Sequence, residues 1–299
     1  MIWLVVSIAS AQQPVVLEGA APARQAGQEM KPSTLYLEEN VHSAILYEDR
    51  RIIVRLPRHY QIDTSRRYPV LFKLEGDSGL KRYDDCIDIL SGADVIPDMI
   101  VVAIPNARGQ RNRDMTPPTL HQDNDGTQTV LTGEMGRGDR FLDFIEQELI
   151  PYVDNHYRTA APRVLAGHSR SALLVLHSLL TKPDLFQGRF IFSAPLMRED
   201  QRLIVDTRAF LAKHRDHRSF VYFNWGEDEN PGMGESHGAM KQLLTEQAPS
   251  GLTWVIERVR GADHQQTPVL ALPSALRELF ADAAVPFSGN RPSRAASER

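Results

Sequence analysis

Cysteine is nearly absent from this chain of 299 residues. Cys86 stands alone, which excludes an internal disulfide and any metal site built from several thiolates. An excess of charge of one sign is absent too: 34 Lys and Arg face 38 Asp and Glu, for a formal net charge of −4. Nothing in that balance calls for nucleic acid or an anionic membrane as partner. The basic residues are scattered, apart from a small cluster at Arg108, Arg111 and Arg113. No apolar run approaches the ~20 residues that a membrane-spanning helix needs. The run from Ile2 to Ala9 is far too short, and no basic segment precedes it, but it leads into Ala9-Ser10-Ala11, an A-x-A cleavage pattern. Residues 1–33 therefore read as the remnant of a secretion signal, cleaved near Ala11, and an Ala-, Gln- and Pro-rich flexible leader. A periplasmic or secreted protein is expected.

What is present is ordinary for a globular protein with a sizeable core: 42% hydrophobic and 24% charged residues. No internal repeat is visible and no linker divides the middle of the chain, so residues 34–284 are expected to form one catalytic domain and 285–299 a disordered tail. Within the domain, short β-rich runs alternate with helical ones. "SAILYE" and "RIIVRLP" suggest an opening hairpin turning at Asp49-Arg50. "YPVLFKLEG", "MIVVAIPN", "RVLAGHS", "GRFIFSAP", "SFVYFNWG" and "LTWVIERV" are the near-continuous apolar runs of buried strands. Between them, "GDRFLDFIEQELIPYVDNHY" carries Phe141, Phe144, Ile145, Leu149 and Tyr152 on one helical face. Strands alternating with helices imply an α/β fold, a sheet of about eight mostly parallel strands with helices on both faces.

One stretch carries chemistry. "RVLAGHSRSALL" reads as strand, sharp turn and helix, the context in which G-x-S-x-G forms the nucleophile elbow of an α/β-hydrolase. Such a turn lifts the serine hydroxyl above the strand's carboxyl end and needs small residues two before and two after it. Gly167 meets the first demand; at the second the chain has Ser171 instead of glycine. Taken alone, the pentapeptide is also compatible with a serine capping the next helix.

A nucleophilic serine needs a base and an orienting acid, in the chain order Ser, acid, His for this fold. Glu227, Asp228 and Glu229 directly follow an apolar strand, at the sheet edge that the elbow occupies. Spacing from Gly226 favours Glu229, with Asp228 second and Glu227 third. His264 lies on the loop between the last strand and the last helix, a placement that no other histidine combines with the right order; its rival His237 begins a helix. His168 adjoins the nucleophile and is expected to shape the elbow and border the substrate. The oxyanion hole is expected from the amide of Arg170 together with that of Asp77 or Gly76, in the loop "KLEGDSG". Trp225, beside the acid, and Arg113 are the remaining candidates for substrate contact. No metal site is expected: Glu227, Asp228, Glu229, Glu235 and His237 include no pair at ligand spacing.

"RRYPVLFKLEGD", "VVAIPNARGQRNRDMTP", "GRGDRFLDFIEQELIPYVDNHYRT", the elbow, "FNWGEDE" and "GADHQQTPVLALPSALRELF" together resemble the putative-esterase family of α/β-hydrolases. That family holds S-formylglutathione hydrolases, siderophore esterases, feruloyl and acetylxylan esterases and mycolyltransferases. The resemblance covers the chain from about Ser43 to Phe280. It implies ester hydrolysis by serine without a cofactor, with Ser169 as nucleophile, His264 as base and Glu229 as acid. The chain departs from the family's pattern twice: Leu74-Glu75-Gly76 stands where Leu-Asp-Gly is usual, and Ser171-Ala172 where the elbow normally ends Gly-Gly.

The expected partner is a small or medium ester, handled through a Ser-His-acid triad and an acyl-enzyme. Two alternatives stay open: a periplasmic esterase of catecholate tri-ester siderophores, with the arginine cluster meeting an anionic ligand, and a non-catalytic binding protein on the same fold.

Overall fold

The computed structural model describes residues 34–76, 79–121 and 136–281. The expected leader with its cleavage site at Ala11, the tail 285–299 and Asp77 lie outside the described residues. Eight strands form one sheet: β1 (Leu35–Ser43), β2 (Glu48–Leu56), β3 (Tyr68–Leu74), β4 (Ile100–Ile104), β5 (Thr159–His168), β6 (Gly188–Phe192), β7 (Ser219–Gly226) and β8 (Leu252–Val259). Their spatial order is β1-β2-β4-β3-β5-β6-β7-β8. β2 runs antiparallel to both β1 and β4, and all other pairings are parallel.

Every residue of β3, β4 and β6 is buried, which is why those strands read as continuous apolar runs and not as alternations. The alternation survives as a division between two cores. Val70, Phe72 and Leu74 of β3 join one cluster and Leu71 the other. The first core is closed by α3 (Gly138–Phe144), α4 (Ile150–His156), α5 (Arg170–Thr181), α6 (Arg198–Lys213) and α7 (Pro231–Gln247). On the opposite face lie α1 (Leu80–Gly92) and α8 (Thr267–Phe280), through residues such as Ile87 and Leu276. A π-helical turn, Ile145–Leu149, joins α3 to α4, so the long amphipathic segment is one continuous rod with a widened middle.

The opening hairpin differs from expectation. It turns at Ala44–Tyr47, with Ser43 paired to Glu48, and Asp49 and Arg50 lie inside β2. Arg50 is only 1% exposed and donates from Nη1 to Glu48 Oε1 at 2.8 Å and to Asp114 Oδ2 at 2.7 Å. A charged residue that locally suggests a turn is thus drawn into the sheet by a carboxylate 64 positions away. The misread partner, β1, is an exposed edge strand with little apolar pattern.

The parallel strands bring their carboxyl ends to one edge. Glu75 follows β3, Ser169 follows β5, Ser193 follows β6, and Glu227 to Glu229 follow β7. Ligand sites of open α/β sheets form at this edge.

Candidate active site

Ser169 sits between the last residue of β5 and the first of α5 with φ 57° and ψ −120°. A non-glycine residue held there carries on the order of 1–3 kcal/mol of strain. Two backbone hydrogen bonds hold the turn: Ser169 N–H donates to Phe192 O at 2.9 Å, and Ser169 O accepts from Ala172 N–H at 3.0 Å. Gly167 is required by contact: a Cβ there would lie 2.7 Å from the carbonyl carbon and oxygen of Ser171. Ser171 itself is fully buried. Its Oγ accepts the His168 N–H at 2.9 Å and lies 2.9 Å from two acceptors, His168 O and Glu75 Oε2. The hydroxyl that replaces the expected glycine is therefore fully engaged at the elbow.

Of the three acids after β7, Glu229 meets His264. Its side chain is 2% exposed, and Oε2 accepts from His264 Nδ1 at 2.7 Å. Oε1 accepts from Gly226 N–H and from Ser193 Oγ, each at 2.7 Å. Burial alone would raise the Glu229 pKa. The hydrogen bonds from His264, Gly226 and Ser193 outweigh it and hold the carboxyl below its ordinary value. Glu227 instead accepts from Arg258 at 2.7 Å and from Gly261 N–H at 2.8 Å, and Asp228 is exposed. With its Nδ1 proton held by Glu229, neutral His264 presents an unprotonated Nε2. Ser169 and His264 line the same cleft, although among the described residues Ser169 Oγ makes no hydrogen bond to His264. Such contacts commonly tighten only when substrate binds.

His168 supports this arrangement from behind. Its Nε2–H donates to His264 O at 2.7 Å, and the two rings lie tilted at 43° with centroids 4.6 Å apart. Burial, and then the neighbouring His264 charge, push its pKa down to about 4. His168 therefore stays neutral beside His264.

The oxyanion candidates separate. The amide of Arg170 opens α5 directly after Ser169, where a helix N-terminus favours negative charge. Gly76 does not serve as expected: its N–H donates to Ile104 O at 3.0 Å and continues the β3–β4 ladder. Its glycine is demanded by proximity, since a Cβ would lie 2.5 Å from Ile104 N, and the left-handed backbone belongs to Glu75, at φ 56°. Asp77 lies outside the described residues.

Two substrate-contact candidates lie elsewhere. Arg113, 12% exposed, donates to Glu48 at 2.6 Å and to Asp114 at 2.6 Å, fixing the short helix α2 (Arg111–Met115) to the hairpin. Trp225 stacks on His237 with centroids 5.3 Å apart and borders a separate hollow of about 230 Å³. The main cleft, about 770 Å³, is lined by Ser169, His264, Arg111, Arg170, Arg198 and Met233, among others. A second recess of about 600 Å³ shares Ser169, His264 and Arg111 with it and adds Glu75, Asn106 and Gln265. Sequence reasoning missed Ser193, Arg198 and the role of Glu75. For Ser193 a signal existed, because a polar residue ending the strand beside the elbow strand falls at the same sheet edge. Among the described residues no group of three or more His, Cys, Asp or Glu side chains is placed to hold a metal ion.

Known proteins resemble the chain in sequence and in fold. The chain is 31% identical over 163 residues to the ferri-bacillibactin esterase BesA of Bacillus subtilis, a match covering 50% of this chain and 53% of that one. It is 29% identical over 125 residues to the siderophore triacetylfusarinine C esterase of Aspergillus fumigatus, covering 40% of each. The chain thus matches about half the length, or less, of these relatives. Among solved structures, an IroE-like serine hydrolase from Shewanella oneidensis superposes with a TM-score of 0.73 at 27% identity, over 84% of this chain and 82% of the other. Residues 43–267, from the edge of the hairpin to the start of α8, match the family described as Putative esterase, and the chain belongs to that family.

Proposed function

We propose that the protein is a serine carboxylic ester hydrolase of small or medium esters, using Ser169, His264 and Glu229. One observation carries the reading: a buried, hydrogen-bonded carboxylate holds His264 Nδ1 at 2.7 Å while His264 and a serine in a left-handed elbow line one cleft. Ser169 Oγ attacks the ester carbonyl and His264 Nε2 takes its proton. The negative charge on the former carbonyl oxygen falls at the N-terminus of α5, beside the Arg170 amide. Collapse of the tetrahedral species expels the alcohol, which receives the proton from His264. Water, activated by the same histidine, then cleaves the acyl-enzyme. Glu229 stays ionised throughout, fixing the tautomer and stabilising the imidazolium.

A narrower reading, a periplasmic or secreted esterase of catecholate tri-ester siderophores, is favoured by the cleft itself. Arg170 and Arg198 line it, and guanidinium groups suit planar anionic ligands. Two relatives carry the names of siderophore esterases, which supports a siderophore ester as substrate.

The test is p-nitrophenyl butyrate hydrolysis by wild type, Ser169→Ala and His264→Ala, with fluorophosphonate labelling followed by peptide mapping. Loss of turnover in both variants and label on Ser169 are expected. An inert wild type, or a Ser169→Ala variant at full rate, would sink the esterase reading. Equal kcat/KM for an iron-loaded catecholate tri-ester and for short acyl esters would remove the narrower one.

A further inference from the structure

Glu75 is a carboxylate that the acyl-transfer scheme does not use, yet it lines the second recess and bonds two of its other lining residues, Asn106 and Arg111. It ends β3 in a left-handed conformation, and its side chain is only 16% exposed. Oε1 accepts from Arg111 Nε and, at 3.3 Å, from Asn106 Nδ2. Oε2 accepts from Ser171 Oγ at 2.9 Å, and the backbone carbonyl accepts from Lys73 Nζ at 3.1 Å. The carboxylate thus ties together the end of β3, the loop after β4, helix α2 and the first turn of α5. The tie reaches the nucleophile through one more link. His168 N–H donates to Ser171 Oγ, and the Ser171 hydroxyl, whose one proton faces Glu75 Oε2 and His168 O at 2.9 Å each, favours the charged acceptor. The chain His168 N–H, Ser171 O–H, Glu75 ends one residue before Ser169.

This geometry raises an electrostatic problem and contains its answer. Glu75 and Ser169 line one recess, so the carboxylate stands near the place where an ester oxygen becomes an anion. An uncompensated carboxylate there opposes the transition state. Arg111 lines the same recess and is bound to the carboxylate through Nε, which makes the pair neutral as a unit.

We propose that Glu75 and Ser171 form a charge-compensated latch that positions the nucleophile elbow, with Arg111 present chiefly to cancel the latch's own charge. The two departures from the family's pattern, Glu75 and Ser171, are on this reading one paired feature. The inference rests on Ser169 being the nucleophile. Glu75, Ser171 and Arg111 are positioning residues here: none is asked to touch the reacting atoms.

The experiment uses p-nitrophenyl butyrate, whose acyl and alcohol parts carry no charge, so that Arg111 has no ionic group on the substrate to bind. Arg111→Met leaves Glu75 as a lone charge beside the developing oxyanion. Its kcat is expected to fall by roughly a hundredfold with KM changed less than about threefold. Adding Glu75→Gln to Arg111→Met removes that charge and should recover at least about tenfold in kcat, a rescue that a purely structural role does not produce. Ser171→Ala, which cuts the latch without adding volume, should lower kcat by about tenfold, the scale of one lost hydrogen bond to a charged group. Should Arg111→Met melt well below wild type, Arg111→Lys, which keeps the positive charge, takes its place, with kcat expected within about threefold of wild type. The proposal is overturned if Arg111→Met keeps wild-type kcat, if Glu75→Gln fails to rescue it, if Arg111→Lys is as impaired as Arg111→Met, or if Ser171→Ala is fully active. An inert wild type strikes the esterase reading instead, so the two failures are distinguishable.

Discussion

Replacing Glu229 by glutamine tests the site most sharply, because the structure dictates which way the new amide must face. Glu229 Oε1 accepts from two donors, Gly226 N–H and Ser193 Oγ, and Oε2 from one, His264 Nδ1, all at 2.7 Å. Glutamine has one acceptor oxygen. The Gly226 amide cannot rotate away, so turning an NH₂ group toward it would set donor against donor at hydrogen-bond distance. The oxygen must therefore keep the Gly226 side, leaving the NH₂ facing His264. To accept from that NH₂, Nδ1 must lose its proton, which then resides on Nε2, the atom that the proposed mechanism uses as base. His264 is held in the wrong tautomer. In a triad of this kind such an exchange lowers kcat by about 10⁴, or about 5 kcal/mol of transition-state stabilisation. Stability should change little: the amide is isosteric, two of the three hydrogen bonds persist, and a third re-forms with reversed polarity. A net cost of about 1 kcal/mol shifts the melting temperature by roughly 2–4 °C. The assay is kcat on p-nitrophenyl butyrate beside a thermal melt, with Glu227→Gln, whose carboxylate pairs with Arg258, as a near-wild-type control. A folded Glu229→Gln variant retaining more than a tenth of wild-type kcat would refute the argument and return the acid's role to Asp228.

Two further outcomes follow from contacts already described. Gly167→Ala drives a Cβ to within 2.7 Å of the Ser171 backbone; it should cost about 1–3 kcal/mol in urea unfolding and at least about tenfold in kcat, and a variant indistinguishable from wild type would show that the elbow is not tightly packed. His237 is fully buried, and burial pushes its pKa down to about 4. The unfolded chain takes up that proton near 6.5, so the unfolded state binds more protons between the two values and stability is lost as pH falls from about 6.5 toward 4. The gap is worth roughly 3 kcal/mol; urea titrations at pH 7.5 and 4.5 should show a smaller pH-dependent loss for His237→Leu than for wild type, and equal losses would refute the assignment.

The parts of the fold that were legible in the sequence are those decided by burial. β3, β4 and β6 lie between two layers of helix, so their apolar runs leave no competing reading. The elbow and the acidic loop after β7 were legible for a related reason, since each falls where a buried strand meets a loop; β8 before His264 is a half-exposed edge strand, and His264 was legible from its place between the last strand and the last helix. The errors arose where a pairing between distant residues overrode a local pattern. Asp49-Arg50 suggests a turn to any local rule, whereas Arg50 pairs with Val41 in the sheet and buries its guanidinium against Glu48 and Asp114. The same network removes Arg113 from the substrate side, because Glu48 and Asp114 claim its guanidinium. Gly76 invites an argument from backbone freedom, but the chain needs glycine there for the closeness of β4. That closeness uses the amide expected to bind an oxyanion.

Ser171 illustrates why a single departure from a motif is hard to judge. Considered within the elbow, its hydroxyl is only extra volume at a position that usually has none. A buried hydroxyl without partners would cost on the order of 1–3 kcal/mol, which would suggest a damaged site. The cost does not arise, because the hydroxyl has partners: His168 O lies 2.9 Å away within the elbow, and Glu75 reaches it from 96 positions away. Neither residue is informative alone, since the serine asks for an acceptor and the glutamate, buried behind the elbow, asks for donors. Once the sheet places the ends of β3 and β5 side by side, each supplies what the other lacks. A motif broken at one position is evidence of lost function only after the residues packed against that position have been found, and here they include a carboxylate and its neutralising arginine.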